Sequence, residues 1–400
     1  MSEEKYLDDF KMVSTSMFYE NRQKVLSMLK SRNILNGFTL FQGGSNVNIY
    51  DTDCEYLFRQ ESTFQYLFGV NEPDFYGGMN IESGESYLFI PRLDPSYAVW
   101  QGHIKTTEEY KDIYQVNHVY YTDEITTTLQ NINCQELFVM SGTNRISGST
   151  LKEVNFNGIE LFKLNQDILY NIVCDCRAIK SEKELNLLRF VNKISVEAHT
   201  YVMQQVKNCS KEKDLEAEFL YYIERMYGCR YVSYTCVCCT GSNSAILHYG
   251  HAGAPLSNKI KQQDILLLDM GAEYFGYDSD ITCSYPASGK FNEKQKLIYQ
   301  AVLDTQRTVE TNIRAGVSWI SLQRICEIEI VKHLSKIGII LPHDKTPEQL
   351  VDLGLSKIFF PHSFGHYMGL DVHDVQDGYP QYDSNVENPT SRNILLKTTW

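Results

Sequence analysis

The residues best placed to do chemistry lie in two linked stretches, Asp264-Ile265-Leu266-Leu267-Leu268-Asp269-Met270-Gly271 and Tyr277-Asp278-Ser279-Asp280-Ile281-Thr282-Cys283-Ser284-Tyr285. Asp269 ends an apolar strand and Asp280 falls inside the next one, with a turn near residues 273–276. A hairpin of this kind brings the two carboxylates together. Ionised carboxylates in an apolar sheet repel each other and lose hydration, a cost that a cation removes. Hard oxygen donors on two strands suit divalent metals. The same aspartates also suit caps of turns at strand ends, and these residues alone leave both readings open. Strand alternation puts Asp278 on the same side as Asp280, so it competes for the role.

A second group is Pro361-His362-Ser363-Phe364-Gly365-His366-Tyr367-Met368-Gly369-Leu370-Asp371-Val372-His373-Asp374. Three histidines fall within twelve residues of one another, and histidine is the commonest nitrogen ligand for metals. The helical His-Glu-x-x-His zinc motif is excluded, because the glutamate is absent and Gly365 opposes a helix. A third, weaker group is Ala245-Ile246-Leu247-His248-Tyr249-Gly250-His251-Ala252-Gly253, whose glycines allow a ligand close to the backbone. Nucleophile elbows, P-loops and dinucleotide fingerprints find no match. The trio Cys236, Cys238 and Cys239 reads as a plain buried strand rather than a zinc knuckle, because its spacings are wrong.

The elements that must position these groups follow from local patterns. A first amphipathic helix is predicted near 17–29, a hairpin over 81–90 with its turn at Ser83-Gly84, and a strand at Leu137-Phe138-Val139-Met140. Ser181 followed by Glu184 is a capping box. Leu185, Leu188, Val191, Ile194, Ala198 and Val202 then form the apolar stripe of a long helix. Further helices are expected over about 212–227, 292–316 and 318–338, with a short one opening at Thr346-Pro347. Between the first and second of these lies a strand-rich stretch, 231–285. The pattern implies an α/β N-terminal domain, residues 1–170, and an α+β domain, residues 178–400.

Composition agrees with two cores. The chain has 400 residues and is 43% hydrophobic, whereas single cores stop growing near roughly 250–300 residues. A net charge of −13 without a basic cluster argues against nucleic acid as a partner. No apolar run approaches the roughly 20 residues of a membrane span, and the polar start lacks a signal-peptide core. Eleven scattered cysteines suggest reduced thiols and a cytoplasmic location.

Taken together, these segments resemble eukaryotic prolidase, the Xaa-Pro dipeptidase group of the pita-bread (creatinase/aminopeptidase-like) metallopeptidases. The resemblance is carried by Arg59-Gln60-Glu61-Ser62, Pro91-Arg92-Leu93, Val99-Trp100-Gln101-Gly102, Ser233-Tyr234-Thr235-Cys236, the His248 stretch, and the aspartate and histidine stretches above. It implies two divalent ions, typically manganese, with a shared hydroxide attacking the scissile carbonyl of a dipeptide ending in proline. Asp269, Asp280 and His366 are implied as ligands, Asp280 bridging, and Asp278 has no such role. Thr282 and Tyr234 are implied to orient those ligands from behind. His373 would steady the developing oxyanion, and His248 would help hold the dipeptide. His362 is implied as support for its loop. Trp100 resembles a residue that reaches toward a partner subunit's site, which implies a homodimer.

The family pattern continues beyond the histidine loop into a Pro-Gly-Met turn and two more strands, each bearing a glutamate ligand. This chain reads Ser391-Arg392-Asn393-Ile394-Leu395-Leu396-Lys397-Thr398-Thr399-Trp400 and stops. Glu387 lies too early to replace a glutamate. Pro389-Thr390 stands where a carboxylate-binding arginine is expected, and Arg392 aligns poorly with it. The expectation is therefore a C-terminally truncated pita-bread domain, missing its last strands, with little or no activity. Its alternatives are a non-catalytic binding scaffold and a fragment of an active enzyme from a frameshifted gene.

Overall fold

The computed structural model describes residues 13–144, 147–250 and 256–375. By internal contacts the described chain forms two compact units. One holds residues up to 192 with 273–279 and 368–375; the other holds 193–272 and 280–367 where described.

The first unit is built on a mixed sheet of β1 (Phe38–Gln42), β2 (Tyr76–Asn80), β3 (Ser86–Ile90), β4 (His118–Tyr121), β5 (Glu136–Val139) and β6 (Lys163–Asn165), ordered β4-β3-β2-β1-β5-β6. β1, β2 and β3 pair antiparallel, whereas β4, β5 and β6 join in parallel. Side chains alternate between two buried faces. Phe38, Leu40, Tyr87, Phe89, Leu137 and Val139 pack with Ile125 and Leu129 of α5 (Ile125–Asn131). Phe41, Leu88, Ile90 and Phe138 face the other way, against α1 (Thr15–Ser31), α2 (Ser62–Phe68) and α6 (Leu169–Ala178). Two short helices, α3 (Ala98–Gln101) and α4 (Thr107–Tyr114), lie in the β3–β4 connection. Burial on both faces explains why these strands read as apolar runs. The hairpin expected over 81–90 is instead β2–β3, so Ile81 lies past the strand, in its loop.

Ser181 and Glu184 form the expected reciprocal cap, at 3.3 and 2.8 Å, and start α7 (Glu182–Gln205). Leu188, Val191, Ile194, Ala198 and Val202 of the expected stripe are buried, and the structure departs from it only at the start. Leu187 is buried and Leu185 only half-buried, because Glu184 itself turns inward, where it accepts a hydrogen bond from Tyr277 Oη at 3.0 Å.

The second unit carries α8 (Glu212–Tyr227), the two-residue strand β7 (Tyr231–Val232), and the antiparallel sheet β12-β9-β8 of β8 (Val237–Thr240), β9 (Ile265–Asp269) and β12 (Thr282–Pro286). After β9, β10 (Ala272–Tyr274) and β11 (Tyr277–Asp278) form a hairpin pairing Glu273 with Asp278, whose residues 273–279 count with the first unit. Phe275 and Gly276 have φ of 54° and 81°, the two left-handed positions that a type I′ hairpin turn requires. Four helices follow: α9 (Glu293–Asn312), α10 (Trp319–Lys336), α11 (Pro347–Asp352) and α12 (Ser356–Phe359). Asn292 with Gln295 and Thr346 with Gln349 close the caps of α9 and α11. Ile330, Val331 and Leu334 of α10 bury against Ile340, Leu350 and Val351.

Candidate active site

Asp269 is the last residue of β9, and the register places Thr282 directly across from it. The Thr282 hydroxyl favours the ionised form of the Asp269 carboxylate. Asp280 is not inside a strand, as alternation assumed; it lies in the break between β11 and β12. Alternation therefore does not put Asp278 on the same side as Asp280, since a broken strand does not preserve sidedness. Asp278 is buried, and its backbone N–H donates to Gly369 O at 2.8 Å.

Tyr234 stands between the two ligand candidates. Its hydroxyl oxygen is 2.5 Å from Asp269 Oδ1 and 3.0 Å from Asp280 Oδ1. On the far side, His366 Nε2 lies 3.0 Å from Asp280 Oδ2, while His366 Nδ1 lies 2.9 Å from Tyr367 O. The three ligand candidates are thus drawn together through Asp280. Burial pushes the Asp269 carboxyl above its ordinary value; the Tyr234 hydrogen bond and the Thr282 hydroxyl oppose this, and the Asp280 charge adds to it. Burial and then the two carboxylates push the Tyr234 phenol far up, so it keeps its one proton.

The single Tyr234 proton is shared by two carboxylates, Asp269 and Asp280, whose charges oppose each other, and a cation relieves that repulsion. Two carboxylates and an imidazole suit a hard or borderline divalent ion. Among the described residues, no three such groups stand in ready-made metal geometry; the Tyr234 and His366 contacts tie these three together instead.

The model of metallopeptidase family M24 matches residues 186–397, and that of the aminopeptidase P N-terminal domain matches residues 18–138. The Xaa-Pro dipeptidase of Mus musculus is 42% identical over 384 residues, covering 96% of this chain and 77% of the relative. The chain belongs to metallopeptidase family M24. The Homo sapiens Xaa-Pro dipeptidase is 41% identical with the same coverage. An aspartate-to-alanine variant of Escherichia coli aminopeptidase P superposes with a TM-score of 0.77 at 26% identity, covering 93% of this chain and 85% of that one. The two domains are thus those of the aminopeptidase P-like, pita-bread metallopeptidases, and the family's chemistry is hydrolysis of peptide bonds.

The other expected site residues of this M24 metallopeptidase sit in well-built surroundings. His248 is exposed in the turn after a 3-10 segment, Gly241–Ala245. Glu212 anchors that turn: fully buried, it accepts from Thr240 N at 2.9 Å, Asn243 Nδ2 at 2.8 Å and Tyr249 Oη at 2.7 Å. Among the described residues no hydrogen bond joins His248 to Asp269, Asp280 or His366. His373 and Trp100 belong to the first unit; both are exposed, Trp100 at 85%. His362 is exposed too, its Nδ1 2.7 Å from Ser363 O and its ring beside Phe360. Burial pushes the Cys236 and Cys239 thiols up to about 12, which agrees with a plain strand rather than thiolate ligands. His251, Glu387, Pro389, Thr390 and Arg392 lie outside the described residues.

Sequence reasoning missed the anchors of the His373 segment. Arg177 Nη2 donates to Asp374 Oδ1 at 2.6 Å and to Asp371 Oδ2 at 2.7 Å, and Lys180 Nζ donates to Asp374 Oδ2 at 2.7 Å. Ser62 Oγ donates to Asp371 Oδ1 at 2.6 Å. Arg59 donates to Leu370 O at 2.8 Å and to Glu273 at 2.6 Å. The only signal in the sequence was the pair of aspartates flanking His373, with nothing to indicate which cations meet them.

Proposed function

We propose that this chain hydrolyses dipeptides whose C-terminal residue is proline, with two divalent ions, manganese by preference, held by Asp269, Asp280 and His366. The observation that carries this is the convergence of Asp269 and Asp280 on the Tyr234 hydroxyl, with His366 Nε2 at 3.0 Å from Asp280 Oδ2. A divalent ion in such a place polarises a carbonyl oxygen and makes water nucleophilic near neutral pH. Tyr234 fixes the Asp269 carboxylate by donating its hydroxyl proton to it, with Thr282 directly across the strand pair. A proton on His366 Nδ1 would be held by the Tyr367 carbonyl 2.9 Å away, the tautomer in which Nε2 can act as a ligand.

His373 is assigned to the developing oxyanion and His248 to the bound dipeptide. The Asp371 and Asp374 ion pairs support the first assignment, because they hold both flanks of His373. The Glu212 cluster supports the second in the same way. The exposed Trp100 supports a homodimer in which this loop approaches the partner. The eleven cysteines, none of them in a disulfide, support a reducing, cytosolic setting.

The test is an assay of glycyl-proline with the purified chain and Mn²⁺, following free proline. Release that depends on Mn²⁺ and is lost in Asp280→Asn supports the proposal and overturns the expectation, read from the sequence, of little or no activity. Release that is absent, survives chelation or survives that substitution refutes it.

A further inference from the structure

We propose that Trp319 and Gln323 of α10 are positioning residues for His366, and that residue 365 is glycine because Trp319 occupies the space a side chain would need. The inference rests on the assignment of His366 as a metal ligand.

The His366 segment has no regular secondary structure, so its backbone must be held from outside. Two contacts from α10 do so, one helical turn apart. The Trp319 ring stacks on Phe364 with centroids 4.2 Å apart and planes at 28°. Gln323 Oε1 accepts from the Phe364 backbone N–H at 2.9 Å. That acceptor is not free to rotate away. Gln323 Nε2 donates to Glu327 Oε1 at 3.0 Å, which settles which end of the amide faces the loop. Glu327 is itself buried and takes a further hydrogen bond from Lys357 of α12. A relay of fixed orientation therefore runs from Lys357 through Glu327 and Gln323 to the backbone two residues before His366.

Gly365 closes the arrangement. A Cβ there would meet Trp319 Cη2 at 3.3 Å and Cζ2 at 3.4 Å, closer than side chains ordinarily pack. Its φ is not in the left-handed region, so the demand for glycine is steric and comes from one neighbour. Either the indole or the loop must move if a methyl group is added, and the loop carries His366 toward Asp280.

The geometry makes a specific prediction, because phenylalanine lacks the two indole atoms that crowd residue 365. Mn²⁺ affinity is measured calorimetrically on the full chain, with the melting temperature of the metal-free protein as the fold control. His366→Ala should weaken binding about 10–100-fold, the usual range when a metal's immediate surroundings are disturbed. Gly365→Ala and Trp319→Ala should each weaken it by about tenfold on the same scale, with the metal-free melting temperature of Gly365→Ala nearly unchanged. Trp319→Phe keeps a ring on Phe364 and should stay near native. The double variant Gly365→Ala/Trp319→Phe should recover most of the lost affinity, a coupling that a merely structural role would not produce. Should Trp319→Ala fail to fold, Gly365→Ala and its double variant still decide the matter. Native affinity in Gly365→Ala, or no recovery in the double variant, while His366→Ala binds weakly, overturns the inference alone. Native affinity in His366→Ala removes the ligand assignment, and this inference falls with it.

Discussion

Arg177 and Asp374 meet at 2.6 Å with both side chains withdrawn from water, 8% and 1% exposed. Asp374 directly follows His373 and lies 197 residues from Arg177 along the chain. Burial alone would raise the Asp374 carboxyl, yet the Arg177 and Lys180 charges hold it below its ordinary value. Asp371, on the other side of His373, shares the same guanidinium.

Replacing Asp374 by Asn should therefore be costly. It leaves Arg177 buried with one carboxylate fewer, and breaking such a pair typically costs about 3–5 kcal/mol. Urea denaturation at neutral pH checks this; a change within error would show that the pair is not holding the segment. The acid limb follows from the same shift. A carboxyl whose folded pKa is depressed contributes fully above its unfolded value, near 3.8. That contribution disappears as pH falls through the lower folded value. The native chain should lose this increment only below that range, whereas Asp374→Asn should lack it at every pH.

Asp280→Asn should separate two effects that usually travel together. In metal-free protein it removes one of two neighbouring carboxylates and leaves Tyr234 and His366 with a neutral partner. Stability should then change by less than about 1 kcal/mol, or rise. With Mn²⁺ at roughly 100 times its dissociation constant, the native chain should gain about 2.7 kcal/mol, and the variant should gain almost none. Thermal melts with and without Mn²⁺ measure both. A large metal-free loss in the variant would mean that the site is a structural hydrogen-bond cluster.

Leu187 and Leu185 offer a direct check on where the buried stripe of α7 starts. Leu187 is 1% exposed, and Leu187→Ala should cost about 2–5 kcal/mol. Leu185→Ala, on the half-buried side, should cost well under half as much. A larger cost for Leu185→Ala than for Leu187→Ala would put the start of the stripe where periodicity alone placed it.

What the sequence determined by itself was whatever adjacent residues record. Capping pairs such as Ser181 with Glu184, Asn292 with Gln295 and Thr346 with Gln349 are written three residues apart, so these helix starts were legible. The apolar run ending at Asp269 was legible for the same reason, and with it the candidate ligands. The family pattern in these motifs was legible too, and with it the pita-bread fold and peptidase chemistry. Tertiary structure decided the rest. Asp280 leaves the strand because the chain turns out of β11 and re-enters the sheet only at Thr282, which no alternation of side chains announces. Leu187 replaced Leu185 in the core because Glu184 found Tyr277, 93 residues away. Arg177 with Asp374 and Trp319 with Phe364 are partnerships of the same kind. A buried ion pair or ring stack depends on which surfaces meet after the chain has folded back, and that pairing leaves no local periodicity in the sequence.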